Sequence, residues 1–293
     1  MNLKKIYKIY LIALLMAVFS QGIAASPRVF AAAMPAPEKD SIADVFLGES
    51  LTYQIGFWAF DNLAIGTITL RRGADGDYVA TLAAHTTGPL LTWLLQDRRD
   101  FYVEHMRMSE DGKRFISKTF EKSIETINIK KQSKITVDYS KEILTSTNYE
   151  NGKETENHVI PLQKGKLYDG PLAAFYNLRF GSYGPFKMGR EFNIYTFPKK
   201  DGHVPVIHVR IAGQKETGLK LNGNSLNEYL AEVKLDKDLF KSKAGDIKIL
   251  FSNNSDHVPE EAVAKDVLFF GDVRGKLTAT GVAAGFAKPA SVE

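Results

Sequence analysis

The sequence predicts an all-β protein, mainly antiparallel, with one or two short helices. Three observations lead to this class. Apolar and polar residues alternate with period two in many short runs, and Gly, Asn and Asp separate those runs. The runs follow one another closely, which favours an antiparallel meander over parallel strands with long crossovers. No repeat of 20–50 residues can be aligned, so neither a propeller nor a solenoid is expected.

The chain begins differently from the rest. Lys4, Lys5 and Lys8 precede an apolar run from Ile9 to Phe19, and small residues follow, the order of a cleavable secretory signal. That run is short against the roughly 20 residues that span a bilayer. Cleavage is expected after Ala25 or after Ala33; Ala31 and Ala33 suit the peptidase, and a Pro-containing polar stretch follows. Residues 1–33 are therefore read as signal peptide, 34–47 as linker, 48–280 as one β-rich domain and 281–293 as a flexible tail. The expected location is the periplasm, with no transmembrane span after cleavage.

Removal of the signal changes the charge balance. Residues 1–33 hold four of the 38 basic residues and no acid, which leaves 34 of each sign. A neutral mature domain has no electrostatic footprint for nucleic acid. Cysteine is absent, which excludes a disulfide framework, a thiolate metal site and a lipid-modified cysteine.

Within the domain, Leu51, Tyr53, Ile55 and Phe57 alternate with Thr52, Gln54 and Gly56, and the turn at Asp61-Asn62 leads to Leu63–Leu70. Further strands are expected at Tyr78–Ala84, Phe101–Met106, Phe115–Phe120, Ile124–Ile129, Ile135–Tyr139 and Ile143–Tyr149. The charged stretch Lys113–Glu156 is read as strands with one face in water. Asp169–Phe180 reads as a helix: Asp169 can cap it, Pro171 suits its first turn, and Leu172, Phe175, Tyr176 and Leu178 fall at helical spacing. Alternation then resumes at Phe192–Phe197, Val204–Ile211, Gly218–Leu221, Tyr229–Leu235, Ile247–Phe251, Val267–Phe270 and Val273–Thr278.

A search for chemistry yields little. The chain has no H-E-x-x-H, nucleophile elbow, P-loop or dinucleotide fingerprint. His203 and His208 lie five apart on a predicted strand, which sends their rings to opposite faces and argues against a shared metal. Asp256-His257 offers residue types of a hydrolytic triad, but neighbours in sequence do not make triad geometry, and a polar turn is the plainer reading. No catalytic residue, metal or cofactor is expected. The apolar segment Leu90–Leu95 suggests a wall or lid of an apolar cleft, with Trp58, Leu91, Trp93, Leu94, Phe175 and Tyr176 as candidate ligand-binding residues.

Several segments together resemble the exported bacterial family catalogued as domain of unknown function 3108. They are Gly48–Ile55 with Ala64–Leu70, the helix Tyr168-Asp169-Gly170-Pro171 through Tyr176 and Leu178-Arg179, and Gly245–Ser252 with Gly271–Leu277. The chain departs from that pattern at Glu260-Glu261-Ala262, where an alternating strand is expected. The resemblance implies an exported all-β domain without assigned catalytic residues, on a curved sheet, half-barrel or open barrel. The expectation is a non-enzymatic periplasmic protein that supports the cell envelope by binding an apolar ligand (lipid or lipoprotein) or an envelope protein. The alternatives are a hydrolase of an envelope polymer, using Asp256, His257 or the Asp169 region, and an assembly subunit that recruits partners by strand addition. Asp169 and Arg179 are expected to be structural, with Arg179 paired to Asp169 or Glu191.

Overall fold

A computed structural model of the chain describes residues 41–57, 60–88, 92, 96–213, 229–234, 246–252, 254–267 and 271–283. The predicted signal peptide, residues 1–33, lies outside them, as does the expected strand Gly218–Leu221. Helix α1 (Ile42–Phe46) leads into β1 (Glu49–Phe57), β2 (Phe60–Arg72), β3 (Tyr78–Thr86), β4 (Arg99–Met108), β5 (Phe115–Glu125), β6 (Lys130–Asp138), β7 (Ile143–Glu150) and β8 (Lys153–Pro161). Helix α2 (Pro171–Phe180) then connects to β9 (Glu191–Tyr195), β10 (Val206–Gly213), β11 (Tyr229–Lys234), β12 (Asp246–Phe251), β13 (Pro259–Val267) and β14 (Gly271–Val282).

All these strands form one antiparallel sheet, ordered β8-β7-β6-β5-β4-β3-β2-β1-β14-β13-β12-β11-β10-β9. It is two meanders joined where β1 pairs β14, from Glu49↔Val282 to Phe57↔Val273. The sheet does not close, since β8 and β9 end it without pairing to each other. It does curl. Phe120 on β5 and Phe197 beyond β9 have ring centroids 6.3 Å apart, whereas ten strand spacings on a flat sheet would separate them by about 48 Å. The architecture is the expected half-barrel or open barrel.

Curling gives every strand an inner and an outer face, and the alternation follows it. On β4, Tyr102, Glu104 and Met106 are buried while Phe101 points outward and is 47% exposed. The inner faces of both meanders, from Tyr53 and Ile68 to Ile211 and Phe251, join α2 in one core. A second cluster of Val137, Leu144, Ile160, Leu162 and Tyr168 packs against Phe197 and Val204 and so bridges the gap between the ends of the sheet. Backbone contact supports that bridge, because Asp169 N donates to Tyr195 O at 2.9 Å.

Four expectations need correction. Residues 34–47 are not linker throughout: Ser41 accepts from Asp44 N and caps α1, whose Ile42, Ala43 and Phe46 are buried in the core. Five residues are too few to show helical periodicity, so only the tertiary contact reveals them. Phe115–Phe120 and Ile124 belong to one strand, β5, because Glu121, Lys122 and Ser123 stay in the ladder opposite β4 and β6. Pro259–Val267 is a strand through Glu260-Glu261-Ala262; Ala262 and Ala264 face the main core while Val263 packs with Leu230 and Leu250 on the other side. Burial on both faces erases the alternation. The tail starts later than residue 281, since β14 reaches Val282 and Ala283 N donates to Gly48 O at 2.8 Å. Among the described residues, no helix is long and apolar enough to cross a membrane.

Candidate functional site

Among the described residues, the seat of α2 inside the curled sheet carries a dense network of buried hydrogen bonds. Pro171 opens the helix and Gly170 stands at its N-cap without a side chain to offer. Leu172 N and Ala173 N, two donors that the first turn leaves orphaned, donate instead to Glu104 Oε2 at 2.9 and 3.2 Å. Ser117 Oγ donates to Glu104 Oε1 at 2.5 Å and accepts from Gly170 N at 2.9 Å. A β-carbon at Gly170 would stand under 3.0 Å from Glu104, a separation real β-carbons do not show. Glycine is needed here for the close approach; its φ of −71° is ordinary.

Asp169, expected to cap α2, does something else. Its Oδ2 accepts from Arg114 and from the Tyr183 hydroxyl, both at 2.6 Å, and Asn177 Nδ2 lies 3.4 Å from Oδ1. Asn177 also closes a two-way bridge with the backbone of Phe115, at 2.8 and 2.9 Å. The capping role passes to Glu104 because the cap falls one residue later, on a glycine. Burial pushes the Glu104 carboxyl up to about 7, against the opposing hydrogen bonds from Ser117, Ala173 and Leu172. Burial raises Asp169 also, and Arg114 opposes it.

Arg179, near the end of α2, pairs with neither Asp169 nor Glu191. Its two terminal nitrogens donate to both oxygens of Glu49 on β1, at 2.7 and 2.6 Å. Alternation hides this partner, which lies 130 residues away. The guanidinium stacks over Phe46 at 4.4 Å and Phe175 at 4.9 Å, and Nε donates to the carbonyls of Asp256 and His257, each at 3.2 Å. Burial alone would lower the Arg179 pKa, but Glu49 more than offsets it and keeps the charge. His257 returns the contact: its Nδ1 lies 3.0 Å from the Arg179 carbonyl and its ring packs 4.3 Å from Phe186. Asp256-His257 thus builds the turn that receives α2, as the polar-turn reading holds.

A second polar cluster lies on the inner face where β3 meets β4 and β5. Arg98 and Asp100 form a buried two-bond pair, both bonds 2.8 Å. Tyr102 stands opposite Lys122, whose ammonium is 5.7 Å from the ring centroid. Tyr102 is 3% exposed, and neither its hydroxyl nor Thr86 Oγ1 has a hydrogen-bond partner. Loss of hydration lowers the Lys122 pKa to about 8, with Asp100 acting against it. Sequence reasoning missed this cluster and Glu104 alike. A signal was present: Asp100, Tyr102 and Glu104 share the inner alternation of β4 with Met106.

The outer face of β3–β7 carries a groove of about 970 Å³, with Phe101 and Val103 among its lining residues and Glu121, Glu125, Lys130 and Lys134 around them. Lys134–Glu121 at 2.6 Å and Lys130–Glu125 at 2.5 Å pair those charges across the strands. Of the sequence candidates for ligand binding, Trp58, Leu91, Trp93 and Leu94 lie outside the described residues. Phe175 is partly buried, edge-on to Tyr176 with centroids 5.0 Å apart. Tyr176 is fully buried against Phe46 and Phe115, which places it in the scaffold. The structure therefore unites Phe175, Tyr176 and Arg179 on α2, with Asp169 just before it.

The model of the family described as "Protein of unknown function (DUF3108)" matches residues 52–278, most of the chain. The chain belongs to the DUF3108 family. That match takes in the α2 seat and the inner cluster of this DUF3108 protein, and leaves Glu49 just outside. Among solved structures it is similar to the crystal structure of a beta-barrel-like protein of domain of unknown function DUF1849 from Brucella abortus. The two share 11% identity over 82% of this chain and 99% of the other, with a TM-score of 0.45. No curated protein matches the DUF3108 chain.

Proposed function

We propose that this DUF3108 protein is an exported, non-enzymatic protein of the cell envelope whose curled sheet holds an apolar ligand or an envelope partner. One observation carries the reading. The inner face is a packed apolar core around α2, but it turns polar and half-buried along β6 and β7, at Lys131, Ser133, Ser146 and Asn148. Those positions alternate with outward ones and continue the rows of Ile135, Val137 and Leu144. A sheet that curls without closing, with an interior that its own side chains fill at one end and water reaches at the other, is a concave surface of the kind ligands use. The sequence adds the signal peptide and the apolar run Leu90–Leu95, which lies between β3 and β4 in sequence.

The hydrolase alternative loses its support, since His257, Asp256 and Asp169 are all engaged in seating α2. Strand addition would use the free edge of β8, where Lys153, Glu154 and Glu156 disfavour pairing. The test is to express the full chain in a Gram-negative host, fractionate the periplasm, sequence the mature N-terminus and identify co-purified lipid by mass spectrometry. A periplasmic protein beginning after residue 25 or 33 and carrying lipid is the expected result. A cytoplasmic, uncleaved chain would overturn the export reading, and repeatedly empty preparations with no affinity for lipids or lipoproteins would overturn the ligand reading.

A further inference from the structure

We infer that the groove on the outer face of β3–β7 binds a neutral, extended oligosaccharide. This face is opposite to the one that carries the apolar-ligand reading, and the inference goes beyond that reading. Register sets the floor of the groove. Phe101 on β4, Ser123 on β5, Gln132 on β6 and Tyr149 on β7 are successive cross-strand partners, so their side chains form one row across the sheet. All four line the groove. The two rings stand at the ends of that row, three strand spacings or about 14 Å apart, with the Ser123 hydroxyl and the Gln132 amide between them.

Phe101 is 47% exposed. A lone exposed phenylalanine on an open surface needs no explanation. This ring instead lies in a groove of about 970 Å³ with Val103 beside it, a space at the upper end of the range for small-ligand sites. The charges around it narrow the class of ligand. Arg99–Asp97 at 2.9 Å, Lys130–Glu125 at 2.5 Å and Lys134–Glu121 at 2.6 Å pair off, so these rim residues carry equal charge of both signs. They offer no excess positive charge to a polyanion and no excess negative charge to a cation.

An extended peptide is disfavoured for another reason. The strands β4, β5 and β6 are paired on both sides, so their main chains have no edge to which a further strand could add. Side-chain chemistry remains. Among the described residues, the Gln132 amide, the Tyr149 hydroxyl and the ring of His85, which stands opposite Arg99 in the next row, have no hydrogen-bond partner. Together they can donate and accept. A sugar chain requires this combination: its C–H faces stack on aromatic rings, and its hydroxyls exchange hydrogen bonds with neutral side chains. The ligand must be extended because the two rings lie along a line and do not converge.

The experiment titrates the purified protein by calorimetry with cellotetraose and with chitotetraose, extended neutral chains that differ in the acetamido groups of the second. At least one should bind, with an affinity that added salt leaves unchanged. Phe101→Ala should weaken that binding about tenfold, and Gln132→Ala about fivefold; neither side chain is buried, so both variants should fold. Binding of neither chain, or binding that both variants leave intact, overturns the proposal. Salt-sensitive uptake of dextran sulfate in place of the neutral chains overturns it too, by making the groove an anion site. So does a dimer in sedimentation that Phe101→Ala dissolves, which would make the groove a contact between copies. None of these outcomes bears on the inner surface, so the apolar-ligand reading keeps its own separate test.

Discussion

Gly170 and Glu104 share one volume: the side chain that the glycine lacks is the space that the glutamate carboxyl fills. A capping residue thus comes from a strand 66 positions earlier, delivered by the inner alternation of β4, while the helix supplies only bare donors. Gly170→Ala should destabilise the fold by about 2–4 kcal/mol through overpacking and loss of the cap. Urea denaturation would measure it. In a Glu104→Ala background the same substitution should cost much less, because the atoms it collides with are gone; full additivity would refute the shared-space account.

Glu104 also makes stability depend on pH. Its carboxyl titrates near 7 in the folded protein and at 4.5 ordinarily, so the folded state holds the proton more tightly than the unfolded chain. The sign follows: the contribution is fully present below about 4.5 and is lost as pH rises through about 7. Asp169, packed beside it, is raised by burial too and works in the same direction. The urea midpoint of the wild type should therefore fall between pH 5 and 8, and Glu104→Gln should flatten that fall. Parallel pH profiles for the two proteins would contradict the assignment.

The Arg179–Glu49 pair should behave as a buried unit. Removing either partner leaves the other charge inside the core, so Arg179→Met and Glu49→Gln should each cost about 3–5 kcal/mol. The double variant should lose far less than the sum of the two, and a double-mutant cycle in chemical denaturation would show it. Arg179→Ala should lower the melting temperature for the same reason, with a further loss from the stacking on Phe46 and Phe175.

His257 serves packing and position. His257→Phe keeps a ring against Phe186 but removes the bond to the Arg179 carbonyl, and should cost about 1 kcal/mol. His257→Ala loses both and should cost about 2–3 kcal/mol. Thermal melts of the two variants would establish the order.

The alternation made most strands legible, because a sheet with a filled interior imposes period two on its sequence, as in Leu51, Tyr53 and Ile55. Helix α2 was legible from Pro171 and the spacing of Leu172, Phe175 and Tyr176. What escaped was what lacks a local pattern. Strand β8 is nearly all polar because it is an edge, β13 is buried on both faces, and α1 is five residues long. The partners of Arg179 and of the α2 N-terminus escaped for a different reason: Glu49 and Glu104 meet the helix only after the sheet has curled. Glu104 alone left a trace, as a carboxylate between Tyr102 and Met106 on an inner row.

The joining of β1 to β14 has a consequence for how the chain assembles. Every other pairing in the sheet links strands adjacent in sequence, so each meander can zip hairpin by hairpin as soon as it exists. The seam from Glu49↔Val282 to Phe57↔Val273 cannot, and contacts this remote in sequence form slowly. A chain emerging from the ribosome therefore carries β1 as a bare edge through almost the whole of its synthesis. Completion waits on Gly271–Val282, and a truncation before Gly271 would leave two open edges where the finished molecule has a continuous wall.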